Sequence, residues 1–195
     1  MEVWFVRGRN MLFTEHANYS FGGLHLLFQK VFSKLKITER KIDNALVLGM
    51  GAGSIISILR EELNIDCEIT AIEYDAAVLE ISNKYFDIQR FKNLMIFNED
   101  AEDFVKRETK TYDLITIDLF NDDVVPSKFT EADFIENVCR LLKPGGVLCF
   151  NFIIQKGKND AELETMKLAF NEAGGKLTIW PMFTGTRVLV WEKAL

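Results

Sequence analysis

Between residues 45 and 53 a wholly apolar run, Ala45-Leu46-Val47-Leu48, is followed at once by Gly49-Met50-Gly51-Ala52-Gly53. A strand without a polar position must be covered on both faces, as in a parallel sheet layered between helices. Glycine directly after such a strand lets the backbone turn sharply and approach a ligand closely. This junction constrains what can follow. Ile55 to Leu63 reads as the helix that carries the chain back, Cys67 to Ile72 as a second buried strand and Ala76 to Phe86 as a second helix. Leu94 to Phe97, Ala101 to Arg107 and Asp113 to Asp118 continue as strand, helix and strand. Such alternation is the pattern of a doubly wound α/β sheet.

The flanks differ. Thr130 and Asp133 have the spacing of a capping box for a helix reaching Leu142, which Lys143-Pro144-Gly145-Gly146 stops before a fifth strand, Val147 to Ile153. After a helix from Asp160 to Ala173, the strand-like runs Lys176 to Trp180 and Arg187 to Trp191 are joined too closely for a crossover helix, so they pair antiparallel. At the other end, Val3 to Val6 and Met11 to Thr14 flank Gly8 as a hairpin, and Leu24, Leu27, Phe28, Val31, Phe32 and Leu35 mark one face of a helix over 21–35. The expected architecture is a Rossmann-like seven-stranded sheet, mostly parallel, ending in an antiparallel hairpin. Residues 1–44 form a hairpin-and-helix extension and residues 45–195 the main domain.

A chain of 195 residues, 48% hydrophobic and 27% charged, can bury one such core but hardly two. Its net charge of −6 argues against a nucleic-acid partner, which needs clustered Lys and Arg. A small-molecule substrate fits better. Cys67, Cys139 and Cys149 lie in apolar stretches without metal-ligand spacing, so they read as reduced core thiols of a cytoplasmic protein, with no metal site. The N-terminal residues lack a secretory pattern, no run approaches a membrane span, and a homodimer is compatible with this composition.

In a parallel sheet all strand C-termini share one edge, where ligands bind. Gly49, Gly51 and Gly53 follow the first strand of the main domain, Glu73 ends the second, Asp100 follows the third, and Asp118 closes the fourth. A carboxylate at the position of Glu73 can accept hydrogen bonds from both hydroxyls of a ribose. A nicotinamide-binding dehydrogenase also wants glycines and an acid there, but its third glycine would fall at Ser54, and it has no regular use for Asp100-Ala101.

These residues resemble the class I S-adenosylmethionine-dependent methyltransferase fold and, within it, the spermidine synthase-like branch, from about Ala45 to Leu195. The resemblance implies S-adenosylmethionine as cofactor. The glycine turn (Gly49, Gly51, Gly53) would pass its methionyl part, Glu73 would hold the ribose with Tyr74 beside it, and Asp100 with Ala101 would meet the adenine. Tyr112-Asp113-Leu114-Ile115-Thr116-Ile117-Asp118 is similar to the family segment whose last aspartate assists deprotonation of the attacking amine. Asp118 is thus both a cofactor neighbour and the expected catalytic group, with Asp122 as its helper. His16 and Tyr19, in the segment expected to pass over the pocket, are assigned to the substrate, whereas His25 beside Leu24 and Leu27 reads as packing or surface.

The chain departs from the polyamine pattern in three places. Ala52 stands where the family carries an aspartate for the aminopropyl ammonium, Asn121 replaces a carboxylate after Asp118, and Phe21-Gly22-Gly23 occupies the place of a Tyr-His-Glu segment. Leaving a buried dication unpaired costs several kcal/mol per charge, on the order of 3–5. Methyl transfer to a small molecule is therefore the expected reaction. Aminopropyl transfer of the spermidine synthase type and cofactor binding without catalysis are the alternatives.

Overall fold

The computed structural model describes residues 1–6, 8–13, 18–121, 124–154, 159–182 and 185–195, the side chains of 9, 18 and 19 excepted. At the N-terminus β1 (Glu2–Val6), β2 (Arg9–Phe13) and β3 (Asn18–Ser20) form a three-stranded antiparallel sheet, and α1 (Gly23–Lys34) follows. The hairpin expected from sequence therefore gains a third strand. Leu12 is wholly buried and clusters with Ala52, Val78 and Phe86, while Asn10 Nδ2 donates to the carbonyl of Tyr85 at 2.6 Å. These contacts seat the small sheet against the glycine turn and its neighbouring helix.

The main sheet is built from β4 (Asn44–Leu48), β5 (Glu68–Glu73), β6 (Leu94–Asn98), β7 (Tyr112–Ile117), β8 (Leu142–Ile153), β9 (Gly175–Pro181) and β10 (Thr186–Lys193). Its order is β6-β5-β4-β7-β8-β10-β9, with β10 antiparallel to both of its neighbours and the other pairs parallel. The seven strands and the terminal hairpin are as expected. From β4 the chain first builds outward to β5 and β6, then crosses to β7, so the order reverses between β4 and β7. Ligands of open α/β sheets bind at such a switch point.

The helices are α2 (Ser54–Ser57), α3 (Ala76–Phe86), α4 (Ala101–Arg107), α5 (Ala132–Leu141) and α6 (Asp160–Glu172). Two apolar cores result, one per sheet face: Phe104, Phe134, Val138, Met166 and Phe170 cover one, and Phe28, Val31, Ile55 and Leu59 the other. Gly175 leaves room for the buried Trp191 ring, which a Cβ there would meet at 2.4 Å. Cys67, Cys139 and Cys149 are buried free thiols, each pushed up by burial, to about 11, 12 and 12. No helix among the described residues is long and apolar enough to cross a membrane.

Two local expectations fail. The capping box does not form, because the Thr130 hydroxyl donates to the Ser127 carbonyl at 2.8 Å and Glu131 precedes α5 without a side-chain cap. Lys143 to Gly146 are not a turn before the strand but part of β8, where a register shift opposite Tyr112 and Leu114 absorbs the extra residues. The helix after the glycine turn is also irregular. Residues Ile58–Glu62 are π-helical, and the Leu63 N–H bonds the Ile58 carbonyl at 3.0 Å.

Candidate functional site

The glycine turn leaves β4 under tight constraint. Gly49 (φ +86°) lies against β7, where a Cβ would come within 2.1 Å of the Asp118 carbonyl oxygen; Gly51 and Gly53 also have positive φ. Every amide of the turn has an internal partner. The N–H groups of Gly49 and Met50 donate to the Ile72 carbonyl, that of Gly51 to Glu73 Oε2 at 2.9 Å, that of Ala52 to Ser20 Oγ at 2.9 Å, and that of Gly53 to the Met50 carbonyl. A pyrophosphate needs free backbone N–H groups. This turn offers none, so it is unsuited to a dinucleotide and suited to a ligand that only needs close passage.

Glu73 ends β5 and is almost wholly buried. Its second oxygen accepts the Asp75 N–H at 3.0 Å. Burial pushes its carboxyl up, and the backbone donors at Asp75 and Gly51 oppose that shift by stabilising the charged form. Tyr74 is 74% exposed beside it, and Asn98 Nδ2 fastens the carbonyls of Glu73 and Tyr74. Asp100 caps α4 by accepting the Glu102 N–H at 2.9 Å, and its other oxygen is paired with the Lys128 ammonium. Asp118 follows β7, and Asn151 Nδ2 on β8 donates to its Oδ1 at 2.8 Å. Although part of Asp118 faces open space, its carboxyl lies deep among protein atoms. Burial raises it to about 7, with the Asn151 bond opposing and the Glu73 charge adding.

One cavity of about 740 Å³ brings these groups together, with Gly49, Glu73, Tyr74, Asp100, Ala101 and Asp118 among its walls. The sequence placed these at one sheet edge. Leu119, Phe120, Asn121, Pro126 and Phe129 close another side. The structure does not bring Ala52 to the cavity: it is fully buried beneath the N-terminal sheet, against Leu12, Val78 and Phe86. Nor does it bring His25, which is buried with Nε2 2.6 Å from Glu62 Oε1 and its ring stacked on Phe21. His16 and Asp122 lie outside the described residues, as does the side chain of Tyr19. Among the described residues no cluster of His, Cys, Asp and Glu could hold a metal ion.

Sequence reasoning missed Asp75, Lys128 and Asn151. Asp75 caps α3 by accepting the Ala77 N–H at 2.8 Å. Asn151 is the polar residue within the apolar run Val147–Ile153, a signal open to inspection, whereas the partnership of Lys128 with Asp100 has no sequence signature.

The sequence profile of the spermine/spermidine synthase domain matches residues 31–191. The chain belongs to the spermine/spermidine synthase family. A polyamine aminopropyltransferase of Vibrio vulnificus is 30% identical over 135 residues, 68% of this chain and 45% of the relative. An eEF1A lysine and N-terminal methyltransferase homolog of Drosophila melanogaster is 27% identical over 143 residues, 66% of this chain and 21% of the relative. The chain thus spans less than half the length of these relatives. The crystal structure of human methyltransferase-like protein 13 in complex with SAH superposes with a TM-score of 0.68 at 22% identity, covering 89% of this chain and 79% of that one. The fold of this family member is therefore that of class I S-adenosylmethionine-dependent methyltransferases, and its relatives carry the names of both methyl- and aminopropyltransferases.

Proposed function

We propose that this protein transfers a methyl group from S-adenosylmethionine to a small-molecule nucleophile, with Asp118 as the base. The observation that supports this most is the uneven use of the acids around the cavity. Glu73 and Asp75 accept backbone N–H groups, Glu99 pairs with Arg107, and Asp100 has both Glu102 N–H and Lys128. Among the described residues the Asp118 carboxylate accepts from the side-chain amide of Asn151, with neither a backbone N–H nor a cation on it. It differs in this from the other acids of the walls, and its second oxygen is left for a reacting group.

The cavity fits the cofactor in outline. Gly49 gives close passage, Glu73 retains lone pairs for a ribose, and Asp100 and Ala101 are proposed for the adenine, with Tyr74 flanking. Gly51 and Gly53 are not among the walls, and a Cβ on Gly53 would meet Ile88. When bound, S-adenosylmethionine supplies an electrophilic methyl carbon on a positively charged sulfur. The chain has to orient a nucleophile in line with it and accept the nucleophile's proton. A carboxyl held at about 7 is suited to exchanging a proton near neutral pH. Residues 1–44, whose sheet is bonded to the glycine turn, would cover the site, and His16 and Tyr19 are the residues proposed for the acceptor.

Aminopropyl transfer is the poorer reading. An aspartate in place of Ala52 would lie under Leu12 and Phe86, so the alanine suits apolar packing and leaves no counter-charge for the aminopropyl ammonium. The test is incubation with methyl-labelled S-adenosylmethionine and a metabolite extract. Appearance of S-adenosylhomocysteine with label in a small molecule supports the proposal. Binding without turnover would make the protein a cofactor-binding relative, and label confined to protein would move the acceptor to a polypeptide.

A further inference from the structure

Asn151 breaks the local rule of its strand. Val147, Leu148, Cys149, Phe150 and Phe152 around it are buried and apolar, and Val188 faces it from β10. Asn151 is itself only 6% exposed, and its Oδ1 has no hydrogen-bond partner. Burying an unsatisfied carbonyl is unfavourable, and a leucine or valine at this position would avoid it. Among the described residues, the polar contact its side chain makes in return is the 2.8 Å bond from Nδ2 to Asp118 Oδ1.

We infer that Asn151 is a positioning residue for the reaction, holding one carboxylate oxygen of Asp118 so that the other faces the acceptor. This rests on the methyl-transfer reading of the same cavity. The geometry follows from register: β7 and β8 pair Thr116 with Cys149 and Ile117 with Phe150, so the next step sets Asp118 opposite Asn151. With Oδ1 held, Asp118 Oδ2 is the oxygen that takes the proton leaving the acceptor heteroatom, whose electron pair forms the new bond to carbon while the carbon–sulfur pair returns to sulfur. Among the described residues, Glu73 at the end of β5 is the charged group that acts on Asp118, and it opposes ionisation. Asn151 supplies the donor that keeps the base form accessible against both burial and that charge.

The inference is tested by carbon-13 titration of aspartate carboxyls in the full chain, with Asp118→Asn assigning the signal. In Asn151→Leu the Asp118 midpoint should move up by about one pH unit. The affinity for S-adenosylhomocysteine, measured by calorimetry, should stay within about threefold, because Asn151 is not among the cavity walls. Asn151→Thr, which retains a donor, should fall between the two. An unchanged midpoint in Asn151→Leu overturns the inference and leaves Asn151 as packing. If that variant does not fold, Asn151→Asp decides the matter: two carboxyls in contact titrate in two separated steps, and a single undisturbed step overturns it. Failure of the unmodified protein to bind S-adenosylhomocysteine would instead count against the methyl-transfer reading, so the two failures are distinguishable.

Discussion

Glu73 holds the scaffold together and is also the residue proposed for the ribose. Its two oxygens hold the amides of Gly51 and Asp75, which ties the glycine turn to the start of α3, yet a carboxylate has further lone pairs for a ribose. Glu73→Ala should weaken S-adenosylhomocysteine binding by about 1.5–3 kcal/mol, the range for charge-assisted hydrogen bonds. Calorimetry is the measurement, and unchanged affinity would remove Glu73 from the site. Its place at the end of a buried strand was legible in the sequence, whereas its burial, against the solvated position a strand-end carboxylate could also take, was decided by the fold. Lys128 was not legible, since its pairing with Asp100 across 28 residues depends on how the segment after β7 folds back. Asn151 stood out as polar within an apolar run, but only the pairing of β7 with β8 gives it Asp118 as a partner.

At the scale of elements, the N-terminal sheet is clasped to the glycine turn by two buried hydroxyls acting in opposite directions. Ser20 Oγ, at the end of β3, accepts the Ala52 N–H at 2.9 Å, and Ser54 Oγ, at the start of α2, accepts the Phe21 N–H at 2.7 Å. Both serines are buried, so these bonds lie away from water. Ser20→Ala leaves the Ala52 N–H unpartnered and should lower stability by about 1–3 kcal/mol in urea unfolding. Hydrogen exchange at the Ala52 amide should quicken as well; protection equal to that of the unmodified chain would mean the clasp does not hold the turn. The sequence announced a hairpin here but not β3, because three residues without apolar alternation carry too little pattern. The π-helical turn at Ile58–Glu62 was equally hidden: Ser54 to Leu59 are buried on all sides, and an apolar run of that kind does not reveal its helical pitch.

For the whole molecule, the two sides of the cavity set the expected substrate preference. The side of the cavity proposed for the nucleoside keeps Glu73, Asp100 and Asp118, while Ala52 lies under the N-terminal sheet and Asn121 is bridged to Val124 through its backbone. The purified protein should therefore prefer S-adenosylmethionine to its decarboxylated form and should make no spermidine from putrescine, as followed by chromatography of the polyamines. Spermidine formed at enzymatic rates would mean that Asp122 or Asp123 supplies the missing carboxylate. Element order, the parallel core and the convergence of glycines and acids on one edge could be read from the chain alone. Burial patterns, glycines and strand-end carboxylates are local in sequence, and chirality and sheet topology then leave few arrangements. Which acids are already engaged, that Ala52 is covered and that Asn151 meets Asp118 were decided in three dimensions. Hydrogen-bond partners in this site come from strands and loops far apart along the chain, and only packing brings their atoms within bonding distance.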